Sequence, residues 1–203
     1  MAGAYPLAFR PARVRMRRFT PTLVSTTHSL RRVTRSRGAH RWGLQLIYGP
    51  MTKDEWNPIV AFLDEQAGQF ERFTIVVPGK EVPRGLVNTV AQVNGAQPAG
   101  TQQVNLKNLT AAVNGIFKRG DLVTFAGHLK VYKVTRDANS DGGGLAAVFL
   151  NTPLLSAVAD LEVVTYQNVT MKVGLSEDQF DDEWKGGLVM SGFEPPLMIE
   201  DPF

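Results

Sequence analysis

Residues 41 to 68 read RWGLQLIYGPMTKDEWNPIVAFLDEQAG, and the change of rhythm inside this stretch decides the fold. Up to Tyr48 the bulky residues Trp42, Leu44, Leu46 and Tyr48 alternate with Arg41, Gly43, Gln45 and Ile47, the period of a half-buried strand. After Gly49-Pro50 the period lengthens. Trp56, Ile59, Val60, Leu63 and Ala67 then form one stripe of a helix over about 52 to 68. Thr52 and Glu55 have capping-box spacing, and Gly68 sits where a C-cap glycine belongs. Pro58 also allows a later start, with Asn57 as the cap and Pro58 at the first helical position.

Working outward, ARVRMRRF (12 to 19) and FERFTIVVP (70 to 78) read as strands. Leu23–Ser36 and His40–Tyr48 flank Arg37-Gly38-Ala39, which predicts a hairpin turn there. Past Pro78, Gly79, Pro83 and Gly85 the text becomes short β runs separated by turns: VNTVAQV, TQQVNLK, DLVTFA, HLKVYKVT, GLAAVFL and DLEVVTY. That spacing predicts a small antiparallel barrel. MKVGL (171 to 175) and GLVMSGFE (187 to 194) are strand-like again. A helix and a few strands ending at Pro78 make a thin core, so these late strands are expected to return to the first module. The expected class is mainly β with one helix, in which a β-sandwich-like domain (1–84 and 167–203) carries an inserted small barrel related to the oligonucleotide/oligosaccharide-binding (OB) type (85–166).

Composition removes several function classes. The 203 residues contain no cysteine, which excludes disulfides, thiolate zinc sites and a cysteine nucleophile. No run approaches the length of a membrane span, and MAGAYPLAFRPARVRMRRF carries arginines where a secretory signal needs an apolar stretch. The three histidines, His28, His40 and His128, are expected on strands of the basic region and in a hairpin turn, and neither HExxH nor GxSxG occurs. DANSDGGG opens like a calcium loop at Asp137, Asn139, Asp141 and Gly142, but the twelfth position is Val148 instead of a bidentate Glu, so a turn is the better reading. Neither an enzyme nor a cofactor or metal site is expected.

Charge is more informative. Residues 1 to 53 hold ten Arg and one Lys without an acid, a net of +11; the remaining 11 basic and 19 acidic residues give −8. An extended strand lines Arg13, Arg15 and Arg17 along one face. The row reads two ways: as a solvated guard on an edge strand, or as a binding surface for phosphates, anionic lipid or an acidic protein. The predicted barrel, with six basic and five acidic residues between Gly85 and Thr165, is nearly neutral. Its Phe117, Phe125, Tyr132 and Phe149 are expected mostly in a core and not as base-stacking platforms.

The helix unit RWGLQLIYGPMTKDEWNPIVAFLDEQ, followed by an inserted β module containing KRGDLVTFAGHLKVYKVT, resembles the distal tail proteins of long-tailed, non-contractile (siphovirus) bacteriophages, within them the short branch with an OB-type barrel. The resemblance implies a structural virion protein in which six copies of the first module close into a hexameric ring. That ring would join the tail tube protein to the tail tip or baseplate hub protein, with viral DNA passing through its lumen and no insertion into a membrane. It would be made in the bacterial cytoplasm and end in the virion tail. Larger relatives carry a galectin-like C-terminal domain for which these residues leave no room, so receptor binding is not carried over. A ring needs two unlike, complementary patches. Candidate interface residues are Arg13, Arg15 and Arg17 on one side and Asp178, Asp181, Asp182 and Glu183 on the other. The rival expectation is a nucleic-acid-binding protein that uses the arginine strands.

Overall fold

The computed structural model describes residues 3–36, 38, 40–181, 184–185, 189–190 and 192–203. In chain order these form β1 (Arg13–Phe19), β2 (Thr22–Thr26), β3 (Arg32–Ser36), β4 (Arg41–Ile47), β5 (Met51–Thr52), α1 (Lys53–Asp64) and β6 (Phe73–Val76). The middle of the chain holds β7 (Gln92–Val93), β8 (Gln103–Lys107), β9 (Leu122–Phe125), β10 (Tyr132–Lys133), β11 (Ala146–Phe149) and β12 (Val164–Thr165). β13 (Thr170–Leu175), β14 (Trp184–Lys185), β15 (Val189–Met190) and β16 (Met198–Glu200) follow. The protein is mainly β, with a single helix among the described residues.

The largest sheet is antiparallel in the order β1-β4-β16-β13-β6, so strands from both ends of the chain share it. Its core face is written in the alternation of β4: Trp42, Leu44 and Leu46 are buried, and they meet Phe73, Ile75, Met171, Val173 and Met198 from the other strands. Burying one such leucine side chain contributes about 2 kcal/mol. Helix α1 adds Trp56, Ile59 and Leu63 to that core. Its N-terminus follows the capping-box reading, since Glu55 Oε2 accepts the Thr52 main-chain N–H at 2.7 Å, and Pro58 lies inside the helix. Its end comes earlier than Gly68 predicts. The helix stops at Asp64 because the backbone turns left-handed at Ala67 and Gly68 (φ 49° and 65°), and Ala67 is exposed.

The first hairpin is also corrected. β2 pairs with β3 (Thr22↔Ser36 through Thr26↔Arg32), while β4 pairs with β1 and β16. The turn is therefore at 27 to 30. There the Leu30 N–H donates to the Thr27 carbonyl at 2.9 Å, Leu30 takes φ 61°, and the Thr27 and Ser29 hydroxyls bond to each other. Of the predicted turn residues, Arg37 and Ala39 lie outside the described residues.

The six β runs of the middle segment all contain strand, shorter than predicted, around a second core that includes Val104, Phe117, Phe125, Tyr132, Val148 and Val158. The expected barrel is not closed. The strands form two three-stranded sheets, β10-β9-β12 and β11-β8-β7, whose edges meet at one bridge on each side, Gln92↔Val163 and Val134↔Leu150, with a few main-chain hydrogen bonds beside each, such as Val164 N–H to the Ala91 carbonyl and Thr135 N–H to the Phe149 carbonyl, both at 2.9 Å. Strands of two to five residues are too short for continuous ladders around a closed barrel. Buried Asp121 stands in for missing ladder bonds: its carboxylate accepts the main-chain N–H groups of Arg84, Gly85 and Lys118 at 2.7, 3.0 and 2.8 Å. Gly85 fits there because a Cβ would lie 2.3 Å from the Ile116 carbonyl oxygen.

Candidate interaction surface

The alternation in ARVRMRRF places its residues as predicted. Val14 and Met16 are half-buried opposite Leu46 and Leu44, while Arg13, Arg15 and Arg17 are exposed on the other face in register with Ile47, Gln45 and Gly43. The row is sparsely paired: Arg17 Nη2 donates to Gln45 Oε1 at 2.6 Å, and among the described residues none of the three meets a carboxylate within 4.0 Å. Gly43 lets Phe19 fold down onto this face, because a Cβ at 43 would sit 2.6 Å from the Phe19 ring. β1 is the edge of its sheet, and β2 and β3 continue from it as a ribbon that among the described residues pairs only with itself. All ten strand residues of the ribbon are exposed, including Leu23, Val24 and Val33. Arg31, Arg32 and Arg35 make it basic.

The acidic candidates lie elsewhere. Asp178 follows β13, three strands from β1 in the sheet order. Its Oδ1 accepts the Gln69 N–H at 3.0 Å beside Gly68, so this carboxylate caps the turn after α1. Asp181 is exposed; Asp182 and Glu183 lie outside the described residues. The fold thus unites Arg13, Arg15 and Arg17 and sets Asp178 three strands away in the same sheet order.

A second constellation, where the two cores meet, has no counterpart in the sequence reading. Glu200 is fully buried on β16. It accepts the Trp42 N–H at 3.0 Å, the Val131 N–H at 2.9 Å and a charged hydrogen bond from Lys130 Nζ, while Trp42 Nε1 donates to the Val131 carbonyl at 2.9 Å. Burial pulls the Lys130 ammonium below the usual lysine value, Glu200 opposes that pull and Arg41 adds to it. Around Trp42 further positive charge collects. Lys133 Nζ lies 5.9 Å from its ring centroid and is held below its ordinary pKa by burial, then by Lys80 and Arg18. His40 packs edge-on to Trp42 with centroids 4.5 Å apart. It is only 8% exposed, and it sits just before β4 instead of on a strand. Burial first, then Lys130 and Arg18, push its pKa down to about 4, against a small upward pull from its own main-chain carbonyl. His28 is exposed in the turn between β2 and β3 instead of on a strand, and the Nδ1 of half-buried His128 lies 3.1 Å from the Tyr132 hydroxyl.

A cleft of about 600 Å³ opens beside His40, lined by Arg18, Phe19, Thr20, Pro21, His40 and Arg41. No sequence spacing links these groups to Lys130 or Glu200, which sit 70 residues from each other, and Glu200 lies 158 residues from Trp42. Only the lysines Lys130 and Lys133 among the apolar residues around Val131 hinted that a charge there needed a partner.

The other polar clusters are used internally. Asp137 Oδ1 accepts the Arg119 N–H at 2.8 Å, Asn139 Oδ1 the Gly115 N–H at 2.7 Å, and Asp141 Oδ1 the N–H groups of Gly143 and Leu145 at 2.9 Å, so the calcium-like stretch is a network of turns. Among the described residues no group of three or more His, Asp or Glu could hold a metal ion, and no helix is long and apolar enough to cross a membrane. No protein-family model matches the sequence, and no curated protein matches it.

Proposed function

We propose that this chain is a structural adaptor of a bacteriophage tail, a distal tail protein whose first module assembles into a ring of six around a lumen through which DNA passes, between the tail tube protein and the tail tip or baseplate hub protein. It works by assembly geometry and carries out no reaction. The observation that carries this reading is the β2-β3 ribbon and the adjoining edge of β1. An isolated two-stranded ribbon is marginal in water, and this one presents both faces to solvent with apolar and basic residues together. A neighbouring copy that covers it supplies the packing it lacks. The resemblance of residues 41–66 and 118–135 to distal tail proteins supplies the ring. The separation of Arg13, Arg15 and Arg17 from Asp178 suits head-to-tail contacts, in which one patch meets a different patch on the next copy.

Electron microscopy and sedimentation of the purified protein, alone and with tail tube protein, test the proposal. Six-fold annuli support it; a protein that stays monomeric in both conditions overturns it. The rival reading, nucleic-acid binding, is favoured by the net charge of +11 over residues 1–53. It requires DNA affinity that falls steeply with salt, by the release of one counterion per neutralised phosphate.

A further inference from the structure

We propose that the cleft formed where β1 ends and β4 begins, with His40 in its wall and Arg18 and Arg41 at its sides, is a binding site for an oxyanion, a phosphate or carboxylate group. Hydrogen positions fix the polarity of the imidazole. Asn151 Oδ1 accepts the Lys133 N–H at 2.7 Å, which fixes the amide so that Nδ2 is the donor toward His40 Nε2 at 3.0 Å. The neutral ring therefore carries its hydrogen on Nδ1. That Nδ1–H is buried and makes no well-formed hydrogen bond, the pull of its own main-chain carbonyl being the weakest of the influences on the ring. A buried donor without an acceptor is costly, and native proteins rarely tolerate one without use.

The surroundings say which acceptor fits. Among the described residues Arg18, Arg41 and Lys133 each lack a carboxylate within 4.0 Å, and Lys130 is already committed to Glu200. Their charges act on one another: Arg18 on His40 and Lys133, Arg41 on Lys130. A neutral ligand would leave this positive field unanswered and a cation would worsen it. An oxyanion answers both needs, two guanidinium forks and one imidazole N–H. Phe19 and Pro21 on the same cleft shield those bonds from water, which strengthens them. Nδ1 is covered by its surroundings, so the oxyanion meets the exposed guanidiniums of Arg18 and Arg41 first.

Two sources can supply the group: free phosphate, or an acidic side chain of another copy. Histidine-selective nitrogen-15 NMR on the whole protein separates them. Inorganic phosphate, then acetate, are titrated at constant ionic strength against chloride, and in a parallel series protein concentration alone is raised. The His40 Nδ1–H resonance is expected to move saturably and the His40 titration midpoint to rise by roughly one unit. In Arg18→Gln/Arg41→Gln, two exposed substitutions checked by circular dichroism, both responses should disappear. Movement on adding phosphate or acetate assigns a free anion; movement with protein concentration alone assigns a carboxylate of a second copy. The proposal is overturned if none of the three series moves the resonance, or if the double variant responds as the parent does.

Discussion

The two regions of this molecule put ionised side chains to opposite uses. In the middle segment, acids hold backbone: Asp121 takes three N–H groups, Asp141 two, Asp160 the Gly95 N–H, and Glu162 those of Gly127 and Ala159. Short strands leave many main-chain donors outside ladders, and carboxylates are strong acceptors for them. In the N-terminal segment the charged groups are guanidiniums, which cannot accept a hydrogen bond, and they stand on a strand face and a ribbon that the chain itself does not cover. Charge there is directed outward. The contrast teaches that net charge by segment locates what is available for a partner only once the charges already spent on architecture have been subtracted.

The sharpest way to break the comparison is at the junction where the regions meet. Lys130→Met leaves the Glu200 carboxylate buried without its cation and should cost about 3–5 kcal/mol in urea unfolding. Parent-like stability would mean that Glu200 is not held as a charge at all. Next, Asp121→Ala strips three main-chain donors of their acceptor and is expected to lose about 3 kcal/mol, with hydrogen exchange quickening first at Arg84, Gly85 and Lys118.

A smaller effect follows from His40, whose pKa falls from 6.5 to about 4 on folding. Between those values the unfolded chain binds a proton that the folded chain refuses, so stability declines as pH drops from about 6.5 to about 4 and levels off below. The contribution is at most about 3 kcal/mol by linkage, and stability measured across that window should be flatter for His40→Gln. Smallest on the fold is charge reversal at Arg13, Arg15 and Arg17. These exposed positions should change unfolding free energy by less than about 0.5 kcal/mol each, while assembly weakens, most at low salt where attraction between exposed charges is least screened. Rings that survive the triple reversal at every salt concentration would place the contact on another surface.

How much was legible in the sequence depended on whether the signal was periodic. The faces of β1 and β4, the helix start at Thr52 and the six β runs of the middle segment could all be read, because alternation, capping spacing and turn residues are local. The turn at Thr27–Leu30 was not, since it is made by hydroxyls and a left-handed leucine instead of Gly, Asn or Pro, and the neighbouring Gly38 drew the prediction away. The helix end was misplaced by the same kind of lure: Gly68 is left-handed, but Ala67 turns first. Of the interface candidates, the arginine row was predicted correctly as a face. That Asp178 caps the turn after α1 could not be foreseen, because it depends on a loop returning from beyond β13. The Glu200, Lys130 and Trp42 cluster and the His40 cleft exist only once distant strands are adjacent.

The position of β16 has a consequence for the order of events during synthesis. Three residues, 198 to 200, lie between β4 and β13 in the middle of the five-stranded sheet, although they emerge from the ribosome after every other strand of it. Without those residues the sheet consists of two separate pairs, β1 with β4 and β13 with β6, whose facing edges both lack the same partner. Until that partner arrives those edges are open to strands of other nascent chains, so the interval before its arrival is when this protein is most prone to misassociate.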